Sequence, residues 1–365
     1  MLDFAAYNSR IAIPNRRLTP RGFARHCQKQ SLSAHMDAIK ANSATTGLAT
    51  RIVNGALEVW VGDPDKFRVF HKDQGHPPFV AEAIIKLLSK PPTYPVSNSL
   101  KSALSQVREI ISKLPECRAM LRVVPLVLGA EPFLNAGACP VPDGGNFIML
   151  NTGIFLASSW VGALQRALFR KEFDISDDQA IQIFIDLRYL SVAIMRGSEA
   201  YLSSPYPLQA LIRTNDLLDD KKDLTFHEVF PILFAVLHEL GHIKLGHTKA
   251  IRVWPTREDM DYDLLSERRR FEHEADAFAA QEIFALAKKL NIHDGSVEMG
   301  IAFFFVLIRT YEKQQAKIPH DLRTHPPATL RFHHAIKMVS SKKRILGWKT
   351  HFSELCKLCN IEAAL

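Results

Sequence analysis

The 365-residue chain is poor in cysteine, and its cysteines follow no pattern typical of a disulfide framework. There are five of them, an odd number, spread from Cys27 to Cys359. Secreted domains that depend on disulfides are short and rich in cysteine, so we expect a reducing, cytoplasmic compartment. Cys356 and Cys359 form a C-x-x-C pair without further ligands nearby in the sequence. We interpret the pair as two thiols on a terminal helix rather than as a zinc knuckle or a redox motif.

A long hydrophobic run is also missing. Residues 147–165 carry no charge, but asparagine, threonine, serine and glutamine interrupt them. The apolar run 301–308 is far shorter than the roughly 20 residues that a membrane-spanning helix needs. The N-terminus lacks the charged and then apolar order of a signal peptide. We therefore expect no membrane span, and we assign both apolar stretches to the core.

The chain contains no glycine-rich phosphate loop and no arrangement that would make a serine or cysteine a nucleophile. Its charges are unbalanced, because 46 Lys+Arg against 38 Asp+Glu give a net charge of +8. Part of this excess lies near the N-terminus, where a nucleic-acid-binding arm and a solvated terminus both fit the pattern. We favour the solvated terminus and expect no nucleic-acid partner.

Apolar patterning predicts the fold class. Residues 121–128 and 147–150 are strand-like, whereas residues 176–196, 264–290 and 296–313 have helical patterns. We predict an α+β fold that is mainly α-helical, with a small sheet beside the helix that bears the motif described next. The predicted division is an accessory region over 1–98, partly disordered or basic, a main domain over 99–350 and a tail over 351–365.

The strongest motif is His238-Glu239-Leu240-Gly241-His242, an H-E-x-x-H pattern at the end of an apolar run. Residues four apart share one face of a helix, so His238 and His242 can bind one metal ion. Glu239 lies beside them, where a carboxylate can take a proton from a water held by the metal. Zinc suits such ligands. Two surface histidines near a salt-bridging glutamate give the same pattern, so a third ligand decides between the two interpretations.

The next predicted helix supplies this ligand. Glu272 and Asp276 lie four residues apart on one face, among small residues that allow close packing. We predict Glu272 as the third ligand, and Asp276 as the acceptor that fixes the tautomer of a ligand histidine. Glu274 lies off that face, and a solvated acidic surface is the alternative. His247 is one residue short of the third-histidine position of metzincins, so we place it after Gly246 at the end of the motif helix.

A third element is Thr324-His325-Pro326, followed by Arg331. Hydrolysis of an amide builds negative charge on the carbonyl oxygen, and hydrogen-bond donors stabilise that charge. His325 is the candidate donor, and Arg331 either holds His325 or adds positive charge. The same residues also fit a helix start with prolines in its first turn, and both interpretations can hold together.

Together these motifs resemble the gluzincin metallopeptidases of the HtpX type, and more closely the Lit family of bacterial phage-exclusion peptidases. The features shared with Lit include His247, the run Met299-Gly300-Ile301-Ala302 and the Thr-His-Pro element. The resemblance covers roughly residues 225–331. It implies a zincin-like domain, a Zn2+ cofactor and hydrolysis of peptide bonds in a protein or peptide substrate. The implied roles are those of metal ligands for His238, His242 and Glu272, and of general base for Glu239.

The resemblance extends to a substrate cleft. Asn135, Ala136 and the strand with Ile148 and Leu150 resemble the elements that line the cleft in the HtpX group. An extended substrate could pair with that strand by strand addition. An ordinary core strand fits the same residues equally well.

We therefore predict a zinc metalloendopeptidase, with phage exclusion as the role that the Lit resemblance implies. One alternative is a regulatory peptidase of the ImmA/IrrE type that acts on a repressor, although the Thr-His-Pro element argues against it. Another is a zinc-containing binding or toxin-like module without turnover, against which the intact Glu239 argues.

Overall fold

The computed structural model describes residues 19–53, 56–73, 75, 77–89, 96–129, 136–142, 144–151, 153–169, 171–172, 174–196, 226–251, 262–314 and 325–359. These residues form a mainly helical α+β fold, which confirms the predicted class. The helices are α1 (Pro20–Thr46), α2 (Pro64–Asp73), α3 (Pro78–Leu88), α4 (Val96–Ile111), α5 (Pro115–Val123), α6 (Gly153–Leu168), α7 (Asp177–Arg196), α8 (Phe226–Lys244), α9 (His247–Ile251), α10 (Tyr262–Lys289), α11 (Asp294–Gln314), α12 (Ala328–Val339) and α13 (Lys342–Leu358). The strands are β1 (Leu48–Val53), β2 (Ala56–Val61), β3 (Leu126–Gly129), β4 (Ala136–Pro140) and β5 (Asn146–Asn151).

Strands β3, β5 and β4 form one small sheet in that order, with β3 parallel and β4 antiparallel to β5. β5 is apolar throughout its centre because helices cover both of its faces. Ile148 and Leu150 point into the main helical core. Phe147 and Met149 point to the opposite face, where Phe23 of α1 packs against them. The first helix therefore forms part of the same packed unit as the sheet, while the predicted boundary at residue 98 stays a prediction.

Helix α8 forms the centre of the molecule and is buried from His227 to His242. It packs against α6, α10 and α11, and its C-terminal half also contacts β4. Close approach to α10 depends on Gly241, where an added Cβ would lie 3.2 Å from the Cα of Ala275. The small residues of α10 therefore allow the close packing that the sequence predicts.

Two local predictions need correction. Residues 121–123 belong to α5 rather than to a strand, because Cys117 and Leu121 are buried four residues apart, which is a helical period. The strand begins only at Leu126. The sequence pattern also missed β4, which has only small residues before Pro140. The helices predicted over 176–196, 264–290 and 296–313 are confirmed, within a few residues, as α7, α10 and α11.

Among the described helices, none combines the length and the apolar character that crossing a membrane requires.

Candidate metal centre

Three side chains converge where α8 and α10 pack together. The Nε2 atoms of His238 and His242 lie 3.1 Å apart, and Glu272 oxygens lie 3.5 Å and 3.6 Å from them. Two ligand atoms at about 2.0–2.1 Å from a tetrahedral zinc ion lie about 3.3 Å apart. The three residues are buried, and they form the group that could hold a metal ion among the described residues. The structure thus brings together the three predicted ligands.

The chemistry of these donors fits a cation. Glu272 Oε2 is buried and accepts no hydrogen bond within the described part of the chain. Burial raises the pKa of this carboxyl, but His325, His238 and Arg331 outweigh that effect and hold its pKa well below the ordinary value. Arg331 Nη2 lies 3.5 Å from Glu272 Oε2, so a cationic partner is already present, and a metal ion would add to the stabilisation that a buried, ionised carboxylate requires. A set of two histidines and one glutamate is also the ligand set of a catalytic zinc site with an open position.

Behind His238 lies a second carboxylate. Asp276 Oδ1 is 2.9 Å from His238 Nδ1, and Asp276 is fully buried. Burial lowers the pKa of His238, but Asp276 and Glu272 together raise it to about 10. The distances show that His238 turns Nδ1 toward Asp276 and Nε2 toward His242 and Glu272, which is the arrangement of a ligand histidine with a carboxylate partner.

Behind His242 lies another histidine. His242 Nδ1 is 3.0 Å from Nδ1 of His247, whose Nε2 is 2.9 Å from Oε2 of Glu274. The turn at Gly246, with φ of +80°, ends α8 and directs His247 back toward His242. The predicted position of Gly246 is correct, but neither His247 nor Glu274 was expected to contact a ligand. The five-residue spacing from His242 was the only signal in the sequence.

Glu239 follows His238 in α8 and contacts the small sheet. It is buried, and one of its oxygens, Oε2, accepts a hydrogen bond of 2.6 Å from the backbone N–H of Ala138 in β4. Burial raises the pKa of Glu239 to about 7, against the lowering effect of His238. A carboxylate with a pKa near neutrality can both accept and return a proton.

His325 and Arg331 both lie close to Glu272, each at a different carboxylate oxygen. His325 Nε2 is 3.4 Å from Glu272 Oε1, and its side chain is 28% exposed, which leaves it open to a ligand. Burial lowers the pKa of His325 to about 4. Arg331 is buried and forms two hydrogen bonds with Asp276, at 2.7 Å and 2.8 Å. The same guanidinium also lies 3.5 Å from Glu272 Oε2. The expected helix start is also present, since α12 begins at Ala328, directly after the two prolines.

The predicted substrate residues need a correction. β5 is the central strand and pairs with β3 and β4 on its two sides, so an added strand cannot pair with Ile148 or Leu150. The edge beside Glu239 belongs to β4, which begins at Ala136. Asn135 lies outside the described residues. The sequence pattern identified an apolar strand, but strand order depends on contacts that a local pattern does not contain.

Comparison with known families agrees with this geometry. Residues 209–351 match the family model described as Peptidase U49. The matched segment contains α8, α10 and α12, and with them all three candidate ligands. This match supports a peptidase, and hence a hydrolase that acts on a protein or peptide substrate. No curated protein matches the chain, and no solved structure matches it either.

Proposed function

We propose that this chain is a zinc-dependent metalloendopeptidase of the gluzincin type. The observation that carries the proposal is the position of Glu239 beside the converging atoms of His238, His242 and Glu272. The match to Peptidase U49 supports peptide-bond hydrolysis, and the ligand types support zinc.

Glu239 is the proposed general base. A bound zinc ion supplies a Lewis acid and lowers the pKa of water at the site to about 7. Glu239 accepts the proton of the attacking water and then delivers it to the nitrogen of the leaving amine. Ala138 holds the carboxylate through its backbone N–H, so the proton-accepting oxygen is fixed relative to the strand.

His325 is the proposed donor to the oxygen of the scissile carbonyl. It is the most exposed of the side chains around Glu272, and its low pKa keeps it neutral with one N–H to donate. Arg331 contacts two carboxylates, since its guanidinium binds Asp276 and its Nη2 lies 3.5 Å from Glu272 Oε2. Because its guanidinium binds Asp276, we assign it to holding Asp276 and, through it, His238.

The outer edge of β4 is the proposed substrate-binding strand. Ala138 is opposite Ile148, yet its N–H bonds to Glu239 and therefore points away from β5. The backbone N–H and C=O groups of successive strand residues point to alternate sides, so those of Ala136 also point away from β5. An extended polypeptide that runs along this edge would bring its carbonyl groups close to Glu239. The proposed substrate is therefore a protein segment in an extended conformation.

We further propose that the protein acts in the bacterial cytoplasm and that its biological role is phage exclusion. It rests on the resemblance to the Lit family, and the five reduced, buried cysteines of the structure are compatible with a reducing compartment. The plating efficiency of phages on cells with the wild-type chain or its Glu239→Gln variant tests this role. Plating on the wild-type strain that equals plating on cells without the chain contradicts it.

Zinc content and proteolysis of Glu239→Gln test the enzymatic proposal. The wild-type protein should bind one equivalent of zinc, and the variant should keep it, because Glu239 is not a ligand. Cleavage of cellular proteins, compared across the proteome with and without phage infection, should fall by about 10²–10⁴-fold in the variant. Glu354→Gln changes an exposed glutamate of α13 and is the matched control with full activity. A folded wild-type protein without zinc uptake contradicts the proposal, and a phenotype that survives Glu239→Gln supports a binding module instead.

A further inference from the structure

Each of the two ligand histidines is contacted, on the side away from the other ligands, by a separate row of side chains, and we call each row an arm. His238 faces Asp276, which Arg331 binds in turn, and this arm is buried throughout. His242 faces His247, which contacts Glu274. The side chain of Glu274 is 40% exposed, so the second arm extends from the metal centre to the surface of α10.

The hydrogen-bond roles along the second arm follow from ligand chemistry. A neutral histidine that offers Nε2 to a metal carries its proton on Nδ1 and donates from there. Nδ1 of His247 must then accept, so the proton of His247 lies on Nε2. Glu274, an ionised carboxylate, accepts that proton in a hydrogen bond. Every donor along His242, His247 and Glu274 thus meets an acceptor.

The ring of His247 has little freedom to leave this position. It stacks on Phe271 with a centroid distance of 4.0 Å and an angle of 6° between the rings. Its side chain is only 3% exposed. Phe271 precedes Glu272 in α10, so the same helix that supplies the third ligand also fixes the ring that supports the second.

We propose that His247 and Glu274 are positioning residues that hold His242 in the tautomer that offers Nε2 to zinc. This inference rests on the proposed function, since it assumes that the ion binds between His238, His242 and Glu272. His247 does not itself bind the ion, because its Nδ1 contacts the back of His242 and its Nε2 contacts Glu274. Partners of this kind alter metal affinity by about 10–100-fold.

Zinc affinity of full-length variants tests the assignment without any need for a substrate. In competition with a chelator at constant pH, His247→Ala should bind zinc about 10–100-fold more weakly than the wild type. His247→Asn should recover most of the affinity, because its amide oxygen can accept near the former Nδ1 position. Glu274→Ala should cause a smaller loss than His247→Ala, because water can replace an exposed acceptor. His351→Ala, on the exposed side of α13, is the control with unchanged affinity.

A second measurement separates positioning from a loss of packing. Nitrogen-15 NMR of the zinc-free protein should find the proton of His242 on Nδ1 in the wild type and in His247→Asn. In His247→Ala this preference should be lost.

The outcomes are distinguishable from those of the proposed function. A wild type that binds no zinc overturns both. A different result overturns only this inference: the wild type binds zinc, and both His247→Ala and Glu274→Ala bind zinc as tightly as the wild type does. The inference also fails if His247→Asn binds as weakly as His247→Ala, since ring packing and not the acceptor would then matter.

Discussion

The guanidinium of Arg331 donates two hydrogen bonds to the carboxylate of Asp276, at 2.7 Å and 2.8 Å, and forms a bidentate ion pair with it in the protein interior. Burial opposes the charge of both groups, yet the pKa of Asp276 is lowered and that of Arg331 is raised, because each stabilises the ionised form of the other. The pair joins α12 to α10 and places a fixed negative charge 2.9 Å behind His238.

Replacing Arg331 by Met should destabilise the protein strongly. The substitution leaves Asp276 ionised in the interior without its partner, and loss of one member of a buried ion pair costs about 3–5 kcal/mol. Urea unfolding of the zinc-free protein measures this change directly. The double variant Arg331→Met/Asp276→Leu should recover part of the loss, since the buried carboxylate of Asp276 is removed together with its guanidinium partner.

The surface pair between Lys357 and Glu354 provides the comparison. Both side chains are more than 50% exposed, so Lys357→Met should change stability little. If Arg331→Met and Lys357→Met have the same effect on urea unfolding, the buried pair does not stabilise the fold as described.

Removal of zinc should lower the thermal stability. Binding to the folded state alone contributes about 4 kcal/mol when free zinc is about 1,000 times the dissociation constant. A chelator should therefore lower the Tm of the wild type. His238→Ala should have a low Tm with or without the chelator, because it cannot complete the ligand set. If neither zinc nor a chelator changes the Tm of the wild type, the protein binds no metal at this site.

Gly241→Ala should weaken zinc binding even though Gly241 is not a ligand. The new methyl group would lie 3.1 Å from Cδ1 of Phe278 and 3.2 Å from the Cα of Ala275. Relief of that contact moves α10 away from α8, and Glu272 moves with α10. We expect a loss of about 1–3 kcal/mol in unfolding free energy and a weaker zinc affinity by equilibrium titration.

Gly347→Ala is the matched control for this substitution. An added Cβ at Gly347 has nothing within 4 Å, and the residue lies inside α13. Alanine is favoured over glycine within a helix by about 1 kcal/mol, so this variant should be more stable than the wild type. If Gly241→Ala behaves in the same way, the close approach of the two helices does not constrain the ligands.

His325→Ala should reduce turnover while zinc remains bound. Loss of one donor to a developing oxyanion typically lowers kcat by about 10²–10³-fold. Zinc content by atomic absorption should equal that of the wild type, because His325 lies 3.4 Å from a ligand and is not one itself. An unchanged kcat in this variant would exclude His325 as a donor to the oxyanion.

The convergence of the candidate ligands was predictable because each part of the group follows a helical period. His238 and His242 are four residues apart, as are Glu272 and Asp276, and each pair needs only one helix to share a face. The support behind His242 was not predictable in this way. Glu274 is on the side of α10 that the period assigns away from Glu272, and it meets His247 only because the left-handed turn at Gly246 redirects the chain.

The role of Arg331 and the order of the strands depend on tertiary contacts. Arg331 is predictable as a buried cation near the ligands, but its choice of Asp276 over His325 depends on how α12 crosses α10. The apolar pattern of β5 is that of a strand covered on both faces, and it carries no information on which neighbour pairs with it.

The packing of Phe23 against Phe147 has a consequence for the order of folding. These two rings are separated by about a third of the chain, so during synthesis α1 emerges long before β5 exists. Its apolar side must stay uncovered until the sheet is complete, and closure of so long a loop is slow compared with helix formation. We therefore expect α1 to dock late, as the step that shields the far face of the sheet from solvent.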